Sequence, residues 1–267
     1  QAALLAYSNP GSTVLGVDLS ARSLRHQLYL KEKHGLGNLE LRQADLRKIG
    51  ELGQEFDLVV STGVLHHLAD PGEGLEALGS VLAPGGAMSV MLYGKYPRTG
   101  VYMLQKAFGL MGVGRDREGV EFVRKTLKSL PGSHFAKSYD HWELGQDGGL
   151  VDTFLHPVDQ AYDVPGVIAL AKSCGLRFQG WHNNMLYFPE AMIPAHSHLY
   201  PPIKALPPEK QWETVELLSQ SSGCHHFILR HKDTDPASSF IHFAGEDYQD
   251  FVPEWHPDVL VLQKGSK

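Results

Sequence analysis

The chain has 267 residues, of which 24 are Lys or Arg and 30 are Asp or Glu, so its net charge at pH 7 is −6. This length can build a hydrophobic core unaided, which excludes a miniprotein that depends on disulfides or metals. The mild acidity offers no basic footprint for a phosphate backbone, so nucleic acid is disfavoured as a partner. Cys174 and Cys224 lie far apart and cannot build a disulfide framework or a zinc ribbon, which favours a reducing, cytoplasmic setting. No apolar run reaches the roughly 20 residues that span a bilayer, so we expect no membrane insertion.

The first third of the sequence alternates between strand and helix patterns. Short β-branched and apolar runs predict strands at residues 13–18, 39–43, 56–61 and 87–93. Ser20 and Asp70 are helix-capping residues, and they predict helices after the first and the third of these strands. Each crossover is long enough to return the chain parallel to itself. We therefore expect an α/β fold, doubly wound around a mostly parallel sheet, with ligands at the carboxyl ends of the strands.

The regular alternation stops after residue 93. Two amphipathic stripes predict helices within residues 101–130, and an irregular stretch of polar and aromatic residues follows from 133 to 162. A helix at about 165–173 and strands at 177–182 and 225–231 come next, with a Pro-rich connection between the strands. These patterns divide the chain into a cofactor-binding core (1–93), a helical lid insertion (94–162), a completion of the core with a Pro-rich insertion (163–232), and a C-terminal extension that packs on the body (233–267).

Two acidic residues end successive predicted strands. Asp18 stands where nucleoside-binding sheets place a carboxylate, whose two oxygens can accept both ribose hydroxyls. Asp45 follows the second strand, and its acceptors suit the exocyclic amine of an adenine, with Leu46 beside the ring. For either Asp alone, a turn or capping role is about as common as ligand contact. Both in order favour a nucleoside site.

Four segments then carry a resemblance to a known family. They are GVDLS from Gly16, QADL from Gln43, FDLVVSTGVLHHLADP from Phe56 and LAPGGAMSVMLY from Leu82. In order and spacing they resemble motifs two to five of the class I S-adenosylmethionine-dependent methyltransferases, which are seven-stranded relatives of the dinucleotide-binding fold. The resemblance covers residues 1–93 and implies a sheet of seven-stranded type whose first strand is missing or truncated. The glycine-rich loop of that family is absent, and we expect it immediately upstream of Gln1 in a longer chain.

The resemblance implies a cofactor, S-adenosylmethionine, and a role for each matching residue. Asp18 would hold its ribose and Asp45 its adenine amine, with Leu19 and Leu46 flanking the adenine. The methionine side would be lined by three successive residues at the end of the third strand: Ser61, Thr62 and Gly63.

The acceptor side has candidates of two kinds. His66 follows the third strand and is the candidate base, with Tyr93 and His156 as further catalytic candidates. Candidate substrate-binding residues are polar or aromatic residues of the lid: Tyr96, Arg98, Tyr102, His141 and Trp142. A tyrosine or arginine there can bind a polar acceptor, and anchoring of the lid is an equally good interpretation.

Fifteen histidines raise the question of a metal site. The pairs His196 with His198 and His225 with His226 have neither Cys partners nor an HExxH helix around them. We therefore expect no bound metal and place these histidines at the surface or at interfaces.

The leading hypothesis is a methyltransferase that acts on a small-molecule or peptide nucleophile held beneath residues 94–162. A nicotinamide-dependent oxidoreductase is the alternative among enzymes, because an acid at a strand end can bind that ribose as well. A third alternative is a non-catalytic binding or scaffold subunit of the same fold. The absence of the glycine-rich loop from this sequence favours this alternative. Oligomeric state stays open.

Overall fold

Short apolar runs bounded by turns form seven strands in the part of the chain that the structure describes. The structure is a computed structural model, and it describes residues 1–139, 142–220 and 223–235, without the side chains of 142 and 143. The strands are β1 (Val14–Asp18), β2 (Leu39–Gln43), β3 (Phe56–Thr62), β4 (Leu82–Gly94), β5 (Ala161–Tyr162), β6 (Leu176–Trp181) and β7 (Cys224–His231).

Ten α-helices occupy the same described residues. They are α1 (Ala2–Ser8), α2 (Ala21–His34), α3 (Pro71–Gly79), α4 (Thr99–Leu110), α5 (Arg117–Ser129), α6 (Asp147–Phe154), α7 (Val164–Ser173), α8 (Pro189–Met192), α9 (Tyr200–Lys204) and α10 (Pro208–Ser219). The predicted caps are confirmed: Ser20 accepts from the amide of Ser23 at 3.3 Å, and Asp70 accepts from the amide of Gly72 at 2.8 Å.

The strands form two hydrogen-bonded sheets, which confirms the predicted α/β fold with mostly parallel pairing. β1 and β2 pair in parallel, and the larger sheet has the order β3-β4-β7-β6, with the short β5 paired to β4. β3 and β4 are parallel, whereas β7 is antiparallel to both β4 and β6. The two late strands, predicted at 177–182 and 225–231, thus form an antiparallel pair.

The start of β4 differs from the prediction. Residues 83–86 precede the predicted strand at 87–93 but lie inside β4, and Leu82 already pairs with Phe56 of β3. The register then shifts between Phe56 and Leu58, and Gly85 adopts φ +80°. A bulge with a left-handed glycine lets the strand continue through a sequence that looks like a turn.

Separate hydrophobic cores hold the sheets and helices together. The main core joins the larger sheet to α3 and α7, and its fully buried members include Leu75, Met88 and Val167. α1 packs closely on β1, since a Cβ on Gly16 would lie 2.9 Å from Ala2 and from Leu41. A further cluster around Phe108 lies within the predicted lid, built from α4, α5 and α6.

The chain divides into two compact units, residues 1–232 and 233–267. The predicted C-terminal extension lies almost wholly outside the described residues, so its packing stays a prediction. In the described part, no helix combines the length and the apolar character that crossing a membrane requires.

One expectation about histidines is wrong. His225, predicted at the surface or an interface, is completely buried on β7. Its Nδ1 lies 2.8 Å from the Tyr187 hydroxyl, and its Nε2 lies 3.2 Å from a carboxylate oxygen of the buried Glu216. The other oxygen of Glu216 accepts from the amide of Val164 at 2.8 Å, so these polar groups connect β7, α10 and α7 inside the protein.

Candidate active site

The carboxyl ends of β1 and β2 meet at one edge. Asp18 pairs in register with Gln43, and the amide of Ala44 donates to the carbonyl of Asp18 at 3.3 Å. The Gln43 side chain donates to the carbonyl of Leu19 at 2.9 Å. The tips of these two neighbouring strands therefore carry Asp18 with Leu19 and Asp45 with Leu46.

Asp18 is held in place by its own turn. Its Oδ1 accepts from the amide of Ser20 at 2.7 Å, while no described residue hydrogen-bonds to its Oδ2. Leu19 follows with 68% of its surface exposed. This pairing of a free carboxylate oxygen with an open apolar surface suits a ribose next to a flat ring.

Asp45 has a partner inside the chain. It caps a 3₁₀ helix (Leu46–Leu52), and its carboxylate accepts from the amide and Nε of Arg47 at 3.0 and 3.1 Å and from Nη2 at 2.6 Å. The side-chain hydrogen bonds from Arg47 lower the pKa of Asp45 to about 2. Leu46 packs partly into the main core. Asp45 thus serves as a cap, and any ligand amine would share its carboxylate with Arg47.

This pairing can be tested on its own. In the Arg47→Met variant we expect the pKa of Asp45 to rise from about 2 toward the ordinary Asp value of about 3.9, because the charged hydrogen bonds are lost. Carboxyl chemical shifts followed by NMR during an acid titration measure it. Arg42→Met, which removes an exposed arginine of β2, is the matched control. An unchanged pKa in Arg47→Met would contradict the assignment.

The end of β3 contains an unsatisfied polar group. Ser61 is 5% exposed, and its hydroxyl has no hydrogen-bond partner among the described residues. Thr62 is exposed and accepts from the side chain of Gln1 at 3.0 Å, and Gly63 adopts φ +73°, a conformation that favours glycine. A buried hydroxyl without a partner is costly unless something binds it. The unpaired hydroxyl of Ser61 leaves a hydrogen-bonding group for a polar ligand at this strand end.

His66 is completely buried against Tyr93. Their rings stack with centroids 3.9 Å apart, and neither ring nitrogen of His66 has a hydrogen-bond partner among the described residues. Burial, with smaller contributions from His67 and Arg98, lowers the pKa of His66 to about 3. The Tyr93 hydroxyl donates to Oδ2 of Asp152 at 3.2 Å, and burial raises its pKa. Both groups therefore stay neutral near pH 7.

His67, which follows the predicted base His66 along the chain, was not among the predicted catalytic residues. Its Nδ1 lies 3.0 Å from the carbonyl oxygen of Val158, and its Nε2 lies 3.8 Å from Oδ1 of Asp152. The ring of His156 is 4.0 Å away, centroid to centroid. Burial lowers the pKa of His156, whose Nδ1 contacts both backbone groups of Val158. The sequence signalled His67 only through its place beside His66.

Arg98 lies inside the protein instead of at an open edge. It is 1% exposed, its Nη2 lies 2.6 Å from the equally buried carboxylate of Asp159, and its Nη1 donates to the Tyr139 hydroxyl at 2.9 Å. The guanidinium also stacks 3.7 Å above the ring of Tyr93. The Tyr102 hydroxyl donates to Asp159 at 3.4 Å. This geometry favours the lid-anchoring interpretation of Arg98 and Tyr102.

The structure describes fewer contacts for the remaining candidate substrate-binding residues. Tyr96 is half-buried, with the ammonium of Lys95 5.8 Å from its ring. His141 lies outside the described residues. Trp142 begins a short 3₁₀ helix (Trp142–Gly145), but its side chain is not described.

Comparisons with known proteins bear on this site. Residues 2–88 match the family model of a methyltransferase domain, a segment that contains Asp18, Asp45 and Ser61. An uncharacterised protein of Synechococcus sp. is 28% identical over 233 residues, covering 84% of this chain and 56% of that protein. A ubiquinone biosynthesis O-methyltransferase of Parvibaculum lavamentivorans is 22% identical over 151 residues, covering 51% of this chain and 59% of the enzyme. The chain spans little more than half the length of these curated relatives.

Solved structures support the fold over most of the chain. The structure of PKMT2 from Rickettsia typhi in complex with AdoHcy has a TM-score of 0.66 and 16% sequence identity. The match covers 87% of this chain and 47% of that one. At this low sequence identity, the structural match shows a shared fold and nothing finer. The shared fold extends well beyond the segment that the family model matches.

Proposed function

Because this chain belongs to the class I S-adenosylmethionine-dependent methyltransferase family, we propose that it transfers a methyl group from S-adenosylmethionine to a small-molecule or peptide nucleophile. The observation that carries the proposal is the set of residues at the ends of β1, β2 and β3. Asp18, Asp45 and Ser61 stand there in chain order, inside the matched domain, and the Ser61 hydroxyl lacks a partner among the described residues.

Each strand end has a role in holding the cofactor. Asp18 would accept the ribose hydroxyls through Oδ2, while Leu19 would cover one face of the adenine. Asp45 would take the adenine amine while keeping Arg47, since a carboxylate can accept about four hydrogen bonds. Ser61, Thr62 and Gly63 would line the methionine side. When bound, S-adenosylmethionine supplies an electrophilic methyl group on a sulfonium.

The chain must then align an acceptor and exclude water, because methyl transfer from a sulfonium is an in-line displacement. Tyr93, the penultimate residue of β4, stacks on His66 and donates to Asp152 of α6, so it links the core to the lid. His66 stays neutral, and its low pKa makes it a weak proton acceptor. His67 and His156 are only partly buried, so we place the acceptor beside their rings.

Isothermal titration of the full-length protein with S-adenosylmethionine and with its demethylated product tests this proposal. Binding of both at one site supports it, and no heat with either would refute it. A fluorescence titration with reduced nicotinamide dinucleotide separates the oxidoreductase alternative. Cofactor binding without methyl transfer to any added thiol, amine or hydroxyl compound would favour the scaffold alternative.

The proposed role of Asp18 in cofactor binding can be tested by a single substitution. Asp18→Ala is expected to weaken binding of the demethylated product by about 1–3 kcal/mol, roughly 5- to 150-fold, because buried hydroxyls would lose their acceptor. Asp57→Ala is the matched control, since Asp57 is an exposed aspartate at the N-terminal end of β3, away from the strand ends that carry the site. Equal affinities in the wild type and in Asp18→Ala would remove Asp18 from the site.

A further inference from the structure

Three side chains with metal-ligating atoms converge where the lid meets the core. His67 ends a 3₁₀ helix (Leu65–His67) after β3, Asp152 lies in α6, and His156 follows that helix. One ligating atom from each lies within 4.8 Å of the others. The three come from two parts of the chain that are far apart in sequence, so only the fold brings them together.

Neighbouring groups orient these side chains. The Val158 carbonyl accepts from Nδ1 of His67 at 3.0 Å, so Nε2 of that ring carries the lone pair, and it lies 3.8 Å from Oδ1 of Asp152. Nδ1 of His156 contacts both this carbonyl and the amide of Val158. The Tyr93 hydroxyl donates to Oδ2 of Asp152, so Oδ1 is left for another partner. Metal-bound histidines and carboxylates are held by outer hydrogen bonds of this kind.

The spacing fits an ion better than a direct hydrogen bond. Nε2 of His67 and Oδ1 of Asp152 are 3.8 Å apart, which is beyond hydrogen-bonding distance. Bonds of about 2.0–2.2 Å to a tetrahedral metal would separate two ligand atoms by roughly 3.4 Å, so small side-chain rotations would suffice.

We propose that His67, Asp152 and His156 form an open binding site for a divalent transition-metal ion, with Zn²⁺ as the best match. Two imidazoles and one carboxylate favour borderline metals over Mg²⁺ or Ca²⁺, which prefer oxygen ligands. The Asp152 side chain is 44% exposed, so the site is open to solvent and keeps a coordination position for water or for an oxygen of the methyl acceptor. In this arrangement His67 and His156 serve as ligands and not as bases.

The test uses the untagged full-length protein, stripped with a chelator and dialysed against dilute Zn²⁺. We expect one tightly bound Zn²⁺ per chain by elemental analysis, and a visible absorption band of low-coordinate Co²⁺ when Co²⁺ replaces it. Asp152→Asn, which preserves shape and the Tyr93 contact, and His156→Gln should each weaken Zn²⁺ binding by on the order of 100-fold and abolish the Co²⁺ band.

The double variant His196→Gln with His198→Gln is the matched control, because both histidines are exposed and lie outside the cluster. Its Zn²⁺ stoichiometry and affinity should equal those of the wild type. Thermal unfolding of each metal-free variant checks that Asp152→Asn is folded. Wild-type protein without bound Zn²⁺, or folded Asp152→Asn that keeps wild-type affinity, would overturn the proposal. So would a loss of binding in the control.

Discussion

Arg98→Met is expected to lower the free energy of unfolding by about 3–5 kcal/mol, because it leaves the Asp159 carboxylate charged and buried without its partner. Both side chains are 1% exposed and 2.6 Å apart. Within the described part of the chain, Asp159 then keeps only the weaker hydrogen bonds from Gln105, at 2.8 Å, and Tyr102. The same substitution removes the cation held over Tyr93. Urea unfolding at pH 7 measures the loss.

A second ion pair of the same region is the control. Lys95 lies 2.8 Å from Asp163, but its side chain is 55% exposed. Lys95→Met should therefore cost no more than about 1 kcal/mol, as is usual for exposed pairs. If Arg98→Met were no more costly than Lys95→Met, Arg98 would not be the anchor of the lid.

Gly100→Ala is expected to destabilise the lid by about 3 kcal/mol, toward the upper end of the costs of overpacking. Gly100 lies in the first turn of α4, and a Cβ there would lie 2.1 Å from the backbone nitrogen of Ala136. That contact is with backbone, so no side-chain rotation can relieve it. The 3₁₀ helix Phe135–Ser138 would have to move away from α4.

Gly109 provides a matched control in the same helix. It is exposed, and a Cβ there would meet no atom within 4 Å. Gly109→Ala should stabilise the protein by about 0.5–1 kcal/mol, since alanine loses less backbone entropy in a helix. Urea unfolding of both variants measures whether each substitution lowers or raises the free energy of unfolding. Equal effects would show that α4 and the 3₁₀ helix Phe135–Ser138 are not packed as described.

Local chemistry explains why the elements could be predicted. Strand β1 and helix α7 begin and end within one or two residues of the prediction, because caps, turns and apolar runs are encoded nearby. The early start of β4 was not predictable in this way. It depends on pairing with Phe56 of β3, a contact between distant parts of the chain.

The cofactor side of the candidate site could be predicted from the sequence more fully than the acceptor side. Asp18 and Ser61 were predicted from strand-end position, because ligands of such folds bind at the carboxyl ends of the strands. The choice between His66 and His67 depends on which ring stacks on Tyr93 and which reaches Val158. Arg98 looked available for a substrate anion because its partner, Asp159, is 61 positions away. No sequence spacing shows these partners.

A crystal structure of the full-length protein with the demethylated cofactor tests the central claim most directly. We expect both ribose hydroxyls within hydrogen-bonding distance of the Asp18 carboxylate, the adenine against Leu19, and the amino-acid end of the ligand beside Ser61. A ligand bound elsewhere, or an Asp18 carboxylate that faces away from the bound ribose, would contradict it.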